Sequence, residues 1–155
     1  MSDERWIEIE RDTESAVTHF SRAAQIATDP SFTADDLAGY TMQMAFMHAM
    51  QSGHTSLENA LTRILRMLGE ALPSGESWHA DLIRRVATTL PDRPAILPPD
   101  LAEAADETRQ FRNRAVRAYD SFRPDRAKPA IEAADRLAAE LSGAISAFRQ
   151  VIDAD

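Results

Sequence analysis

The segment FRNRAVRAYDSF, running from Phe111 to Phe122, carries two patterns at once. At roughly 100° per residue, Phe111, Ala115, Ala118 and Phe122 fall within one narrow arc, which predicts a helix with a core-facing stripe. Arg112, Asn113 and Arg117 lie outside that stripe, and Tyr119 lies on its border. The second pattern is charge. Seven basic residues stand between Arg109 and Lys128 against Asp120 and Asp125 alone, a local surplus of five. Surface helices normally mix signs, so this surplus calls for an anionic partner, of which a phosphate is the simplest.

The rest of the chain is acidic. Its 155 residues carry a formal net charge of −8, with −10 over residues 1–108 and −3 over residues 129–155. General attraction to DNA or to an anionic membrane is therefore not expected, and a phosphate ligand must be held locally. The length and the 44% apolar content suit one domain with one core, residues 1–155. The chain has no cysteine, which excludes disulfides, thiolate metal sites and cysteine nucleophiles. The opening MSDERWIEIE lacks an apolar leader core, and no apolar run approaches a membrane span, so the expected location is cytoplasmic.

Working outward from the basic segment, proline, glycine and capping residues divide the chain into helices. Trp6, Ile9, Ala16, Phe20, Ala23 and Ala27 recur at helical spacing and predict a first helix from about Asp3 to Thr28, stopped by Asp29 and Pro30. Thr33 with Asp36 resembles a capping box for a second helix reaching about Leu68 and ending at Gly69. That helix is apolar on more than one side and is expected to be the most buried element. A short helix from about Trp78 to Thr89 follows the loop EALPSGES. The prolines at 91, 94, 98 and 99 then forbid a helix until Asp100, read as the cap of the basic helix, which runs to Pro124. A last helix from Asp125 or Lys128 to Ile152 carries Ala134, Leu137, Leu141, Ile145 and Phe148 on its inner stripe. Four long helices and a short one predict an all-α, up-and-down four-helix bundle with an extra short helix.

With this layout, Arg112, Asn113, Arg117 and Tyr119 resemble the signature of the HEPN superfamily, and within it the HepT-like toxins. The family pattern is an Arg, a polar residue, three further residues, a His, one residue and a Tyr. The resemblance implies a homodimer in which two motif helices face each other across a cleft for RNA. Active members are metal-independent endoribonucleases without cofactor. It further implies that Arg112 stabilises charge on a phosphate, that Asn113 orients it, and that Tyr119 is the residue a partner minimal nucleotidyltransferase antitoxin modifies with AMP. Arg109 and Arg114, with Arg112 and Arg117, are the candidate RNA-binding residues.

Arg117 occupies the position of the family's catalytic His. A guanidinium has a pKa above about 12 and cannot serve as a base near neutrality, whereas an imidazole near 6.5 can. Arg117 retains phosphate binding, and RNA cleavage is expected only where a different residue supplies the proton or the subfamily works with Arg. The alternative is a catalytically inactive HEPN-type bundle acting as the substrate-binding subunit of a nucleotidyltransferase. A third, plainer reading is a helical scaffold without a ligand.

Four histidines are candidates for the missing base. His54 lies on an apolar stripe beside Gly53 and reads as a hydrogen-bonded core histidine at a close helix contact. His48 lies on another side of the same helix. His19 is isolated, and His79 beside Trp78 reads as a helix-start residue. No two histidines have the i, i+4 spacing of a helical metal site, so no metal is expected. The acids of the first helix, Glu4, Glu8, Glu10, Asp12 and Glu14, form a solvated face or else neutralise the arginines of the basic helix.

Overall fold

Each long apolar repeat becomes a helix in the computed structural model, which describes residues 3–117 and 122–154. The helices are α1 (Asp3–Ala27), α2 (Leu37–Met67), α3 (Trp78–Val86), α4 (Pro99–Arg117) and α5 (Lys128–Ile152), with short 3-10 turns at Pro30–Thr33 and Pro124–Arg126. Among the described residues the sole β-type pairing is an isolated bridge between Leu90 and Arg93. The fold is all-α, as the periodicity predicted.

Helix α1 packs on α2 and α5, and α4 packs on the same two, so the four long helices form a ring that α3 flanks at α2 and α4. Neighbours run antiparallel. Ser15 meets Ser56 and Asp12 meets Arg63 across α1 and α2, while Trp6 reaches Asp153 and Glu10 reaches Arg149 across α1 and α5. Asp100 faces Arg136 across α4 and α5. This is the expected up-and-down bundle with an extra short helix.

The core runs through Trp6, Phe20, Phe46, Leu57, Leu61, Ile64, Leu101, Leu137 and Leu141, all essentially buried. Each large side chain contributes about 1.5–3 kcal/mol by leaving water. Helix α2 buries Met47, Met50, Leu57 and Leu61 on one stripe and Phe46, Ala49 and Ala60 on another, in accord with its expected central place. Gly53 on α2 is a point of close contact with α1. A Cβ there would stand 2.8 Å from the Phe20 ring, so the absence of a side chain is what admits the ring. Gly69 closes α2 with φ +75, and Gly69 and Glu70 donate their N–H groups to the carbonyls of Arg66 and Leu65, a Schellman cap.

The helix ends differ from the sequence reading in four places. Asp36, not Thr33, caps α2, its carboxylate accepting from Gly39 N at 2.9 Å, while Thr33 belongs to the preceding 3-10 turn. Helix α3 stops at Val86, short of Thr89, because the Val86 carbonyl is taken by the N–H groups of Ile96 and Leu97 in the returning loop. Helix α4 begins at Pro99, which suits a first position that needs no donor, and Asp100 sits inside the first turn where the helix dipole favours an acid. At its other end α4 is described to Arg117. Phe122 lies beyond it outside regular structure, and its ring still joins Phe32, Phe46 and Phe111 at centroid distances of 5.8–6.2 Å. The expectations for Ala118 and Tyr119 fall outside the described residues.

Candidate nucleic-acid site

Helix α4 presents two chemically different faces, because Arg112 and Arg114 are separated by about 200° of helical rotation. Arg112 turns toward α2. Its guanidinium lies 3.9 Å from Oε1 of Glu58, and its side chain is 31% exposed. Asn113, Arg114 and Arg117 turn the other way and line a groove of about 420 Å³ together with Arg123 and Arg126, with Phe111 and Phe122 among the apolar lining. Within one chain, then, Arg112 does not share the groove of Asn113 and Arg117.

The groove is strongly cationic. Arg114 reaches Glu107 at 3.5 Å and Arg123 reaches Asp125 at 3.2 Å, both at exposed positions where such pairs contribute little. Hydrogen bonding from Arg123 holds the Asp125 carboxyl below its usual value. Arg109 stands apart, half-buried and hydrogen-bonded to Asp106 at 2.7 Å within its own helix. Burial pushes Asp106 up, but Arg109 and Gln110 outweigh it and hold the group below the ordinary range. Arg117 has no carboxylate partner among the described residues. The acids of α1 do not quench this region: Glu8 and Asp12 pair with Arg63 of α2, and Glu10 pairs with Arg149 of α5.

On the Arg112 face, α2, α3 and α4 converge on one buried carboxylate. Glu58 is one turn after His54 on α2, so both point into the same junction. His79, at the start of α3, donates from Nδ1 to Glu58 Oε2 at 2.6 Å, and its ring lies against that of Trp78 with centroids 3.7 Å apart. His54 is fully buried, as expected of a core histidine. Its Nδ1 is 2.8 Å from Thr108 Oγ1, and that hydroxyl donates onward to the Ala105 carbonyl. His54 Nε2 stands 3.1 Å from Glu58 Oε2 yet lacks hydrogen-bond alignment.

A carboxylate sunk this far costs several kcal/mol unless partners compensate. Burial alone pushes the Glu58 carboxyl up, but the imidazoles of His54 and His79 more than offset it and hold the group below the usual range. The compensation comes from imidazoles, with the guanidinium only at arm's length. No group of three or more His, Asp or Glu side chains among the described residues is arranged to hold a metal ion.

The sequence reading found Arg112, Asn113, Arg114 and Arg117 but passed over Glu58 and Thr108. The i, i+4 spacing of His54 and Glu58 was a local signal for part of this cluster. The bond from His79 spans 21 positions and leaves no mark on either segment. His48 is exposed on α2, away from this cluster, with His19 as its ring neighbour.

The model of one protein family, described as HepT-like protein, matches residues 45–152, more than half of the chain. The match spans the cationic groove and all of Glu58, His79 and Arg112. No curated protein and no solved structure matches the chain.

Proposed function

Because the chain belongs to the HepT-like family, we propose that it is the RNA-binding, toxin-type half of a HEPN and minimal-nucleotidyltransferase pair, acting in the cytoplasm. The observation that carries this reading is the groove of Arg114, Arg117, Arg123 and Arg126 in a chain whose net charge is −8. Four guanidiniums along a groove of aromatic lining offer a sugar-phosphate chain both counter-charge and a stacking surface. Asn113 lines the same groove, which supports a role for it in orienting a phosphate.

In a homodimer the motif helices of two copies face each other, which brings Arg112 of one copy toward the groove of its partner. Val116, one turn beyond Arg112 and 66% exposed, is the apolar residue such a contact would cover. Tyr119 remains the proposed AMP acceptor, and it lies outside the described residues.

Fluorescence anisotropy with labelled single-stranded RNA tests the reading. Wild type is expected to bind with a logarithmic salt slope that falls by about 0.7 for each groove arginine replaced by alanine. Protein that binds no RNA at low salt, or a combined Arg114→Ala, Arg117→Ala variant with an unchanged slope, sinks it. A second reading, a catalytically silent substrate-binding subunit of a nucleotidyltransferase, is favoured by the lack of any imidazole in the groove lining. Stable co-purification with a nucleotidyltransferase, and no RNA cleavage after its removal, would select it.

A further inference from the structure

We infer that His79, oriented by Glu58 beside Arg112, is the general base of an RNA-cleaving site at the α2–α3–α4 junction. This inference rests on the RNA-binding reading above and supplies what Arg117 cannot. An imidazole is present after all, delivered by a different helix from the one that carries the motif.

Three features point to proton transfer instead of simple structural pairing. The first is direction: His79 commits Nδ1 to the buried Glu58 at 2.6 Å, which fixes the tautomer and leaves Nε2 for a ligand. The ring is 31% exposed, so a ligand has access to it, and Trp78 at 3.7 Å limits its rotation. The second is the guanidinium. Arg112 stands 3.9 Å from the other oxygen of the same carboxylate and is equally exposed, which leaves its fork of donors available for a phosphate beside the imidazole. The third is cost, since keeping a carboxylate buried is expensive, and charges held in such places cluster at functional sites. A separate cavity of about 570 Å³ is lined by Asn59 and Trp78, the chain neighbours of Glu58 and His79, together with Arg63 and Arg66, which offers charge and an aromatic face for a further nucleotide.

The reaction balances without metal or redox partner. His79 Nε2 takes the proton of a ribose 2′-hydroxyl, and O2′ forms a bond to the adjacent phosphorus. The bond from phosphorus to O5′ breaks, its electron pair goes to O5′, and that oxygen takes a proton from water. The products are a 2′,3′-cyclic phosphate and a 5′-hydroxyl end. Glu58 stabilises the imidazolium until it returns its proton to solvent, and Arg112 neutralises the charge that builds on the phosphate. His79 and Arg112 touch substrate; Glu58 is a positioning residue.

The test uses the full chain with end-labelled single-stranded RNA for cleavage and 2′-O-methyl RNA, which lacks the reacting hydroxyl, for binding. Wild type is expected to release 2′,3′-cyclic phosphate ends. His79→Ala should cleave about 10²- to 10⁴-fold more slowly with unchanged binding of 2′-O-methyl RNA. Added imidazole should restore part of its rate, which a merely structural role of His79 would not allow. Glu58→Gln should lower kcat and leave KM in place. Wild type that binds 2′-O-methyl RNA yet cuts nothing overturns the inference while RNA binding stands. Cleavage by a folded His79→Ala protein at the wild-type rate does the same. Wild type that fails to bind RNA removes the underlying reading and this one with it.

Discussion

Glu58 and Glu70 lie twelve positions apart, one within α2 and one just past its cap, and both are largely buried. Their surroundings are opposites. Glu70 is clasped by two guanidiniums, with Arg85 at 2.9 Å and Arg93 at 2.5 and 3.0 Å. Arg93 in turn uses all five of its N–H donors, three of the bonds running to the carbonyls of Arg85, Thr88 and Pro94. Glu58 has imidazoles instead, one of them misaligned, and a guanidinium too distant for a close bond. A saturated cluster holds a loop in place. An unsaturated one, with His79 and Arg112 partly exposed at its rim, retains capacity for a ligand, and that is the physical difference between a clasp and a site.

The largest expected effect comes from breaking the clasp. Arg93→Ala leaves the Glu70 carboxylate without its main partner and should cost about 3–5 kcal/mol in urea unfolding. RNA affinity per folded molecule should fall by much less than the stability does, because Arg93 is not among the residues that line the groove. If RNA affinity collapses while the protein stays folded, the division between clasp and site is wrong.

An acid titration sharpens the same division. Hydrogen bonding from Arg93 holds the Glu70 carboxyl below its ordinary value of 4.5, burial opposes this, and Arg85 adds to it. The unfolded chain therefore takes up this proton first. The Glu70 contribution to stability is fully present above pH 4.5 and is lost as pH falls through the folded-state value. Urea midpoints measured from neutral pH downward should decline below pH 4.5 in wild type and decline less in Glu70→Gln. Equal declines would show that the clasp is not what acid breaks.

The smallest effect belongs to the cationic groove. Arg123→Ala removes an exposed pair with Asp125 and should leave the melting temperature nearly constant. A large drop in melting temperature would make Arg123 structural and remove it from the proposed RNA-binding groove.

Much of the fold was legible because its causes are local. Pro30, Gly69 and the start of α5 near Lys128 punctuate the chain where sequence rules place them, and the repeats of α1 and α5 report their inner faces directly. Asp36 competed with Thr33 for the cap of α2, and only the turn at Pro30–Thr33 decides between them. The motif arginines were visible from charge and spacing, but their division between two faces depends on which helices flank α4. Glu58 and His79 meet only after three helices assemble. Arg93 sits in the run Pro91 to Pro94, which reads as solvated loop, and its buried fork of five donors is a product of tertiary structure.

The Arg93 clasp also bears on α4. The pinned loop leads directly into Pro99, and at the far end Phe122 is wedged among Phe32, Phe46 and Phe111. The helix is thus held near both extremities, like an axle seated in two bearings, which opposes rolling about its length. A roll of one residue, roughly 100°, would swing Arg112 off the Glu58 junction and offer Asn113 in its place. The angular setting of the Arg112 guanidinium is in this sense maintained from more than a dozen residues away, by a proline-rich connection that carries no chemistry of its own.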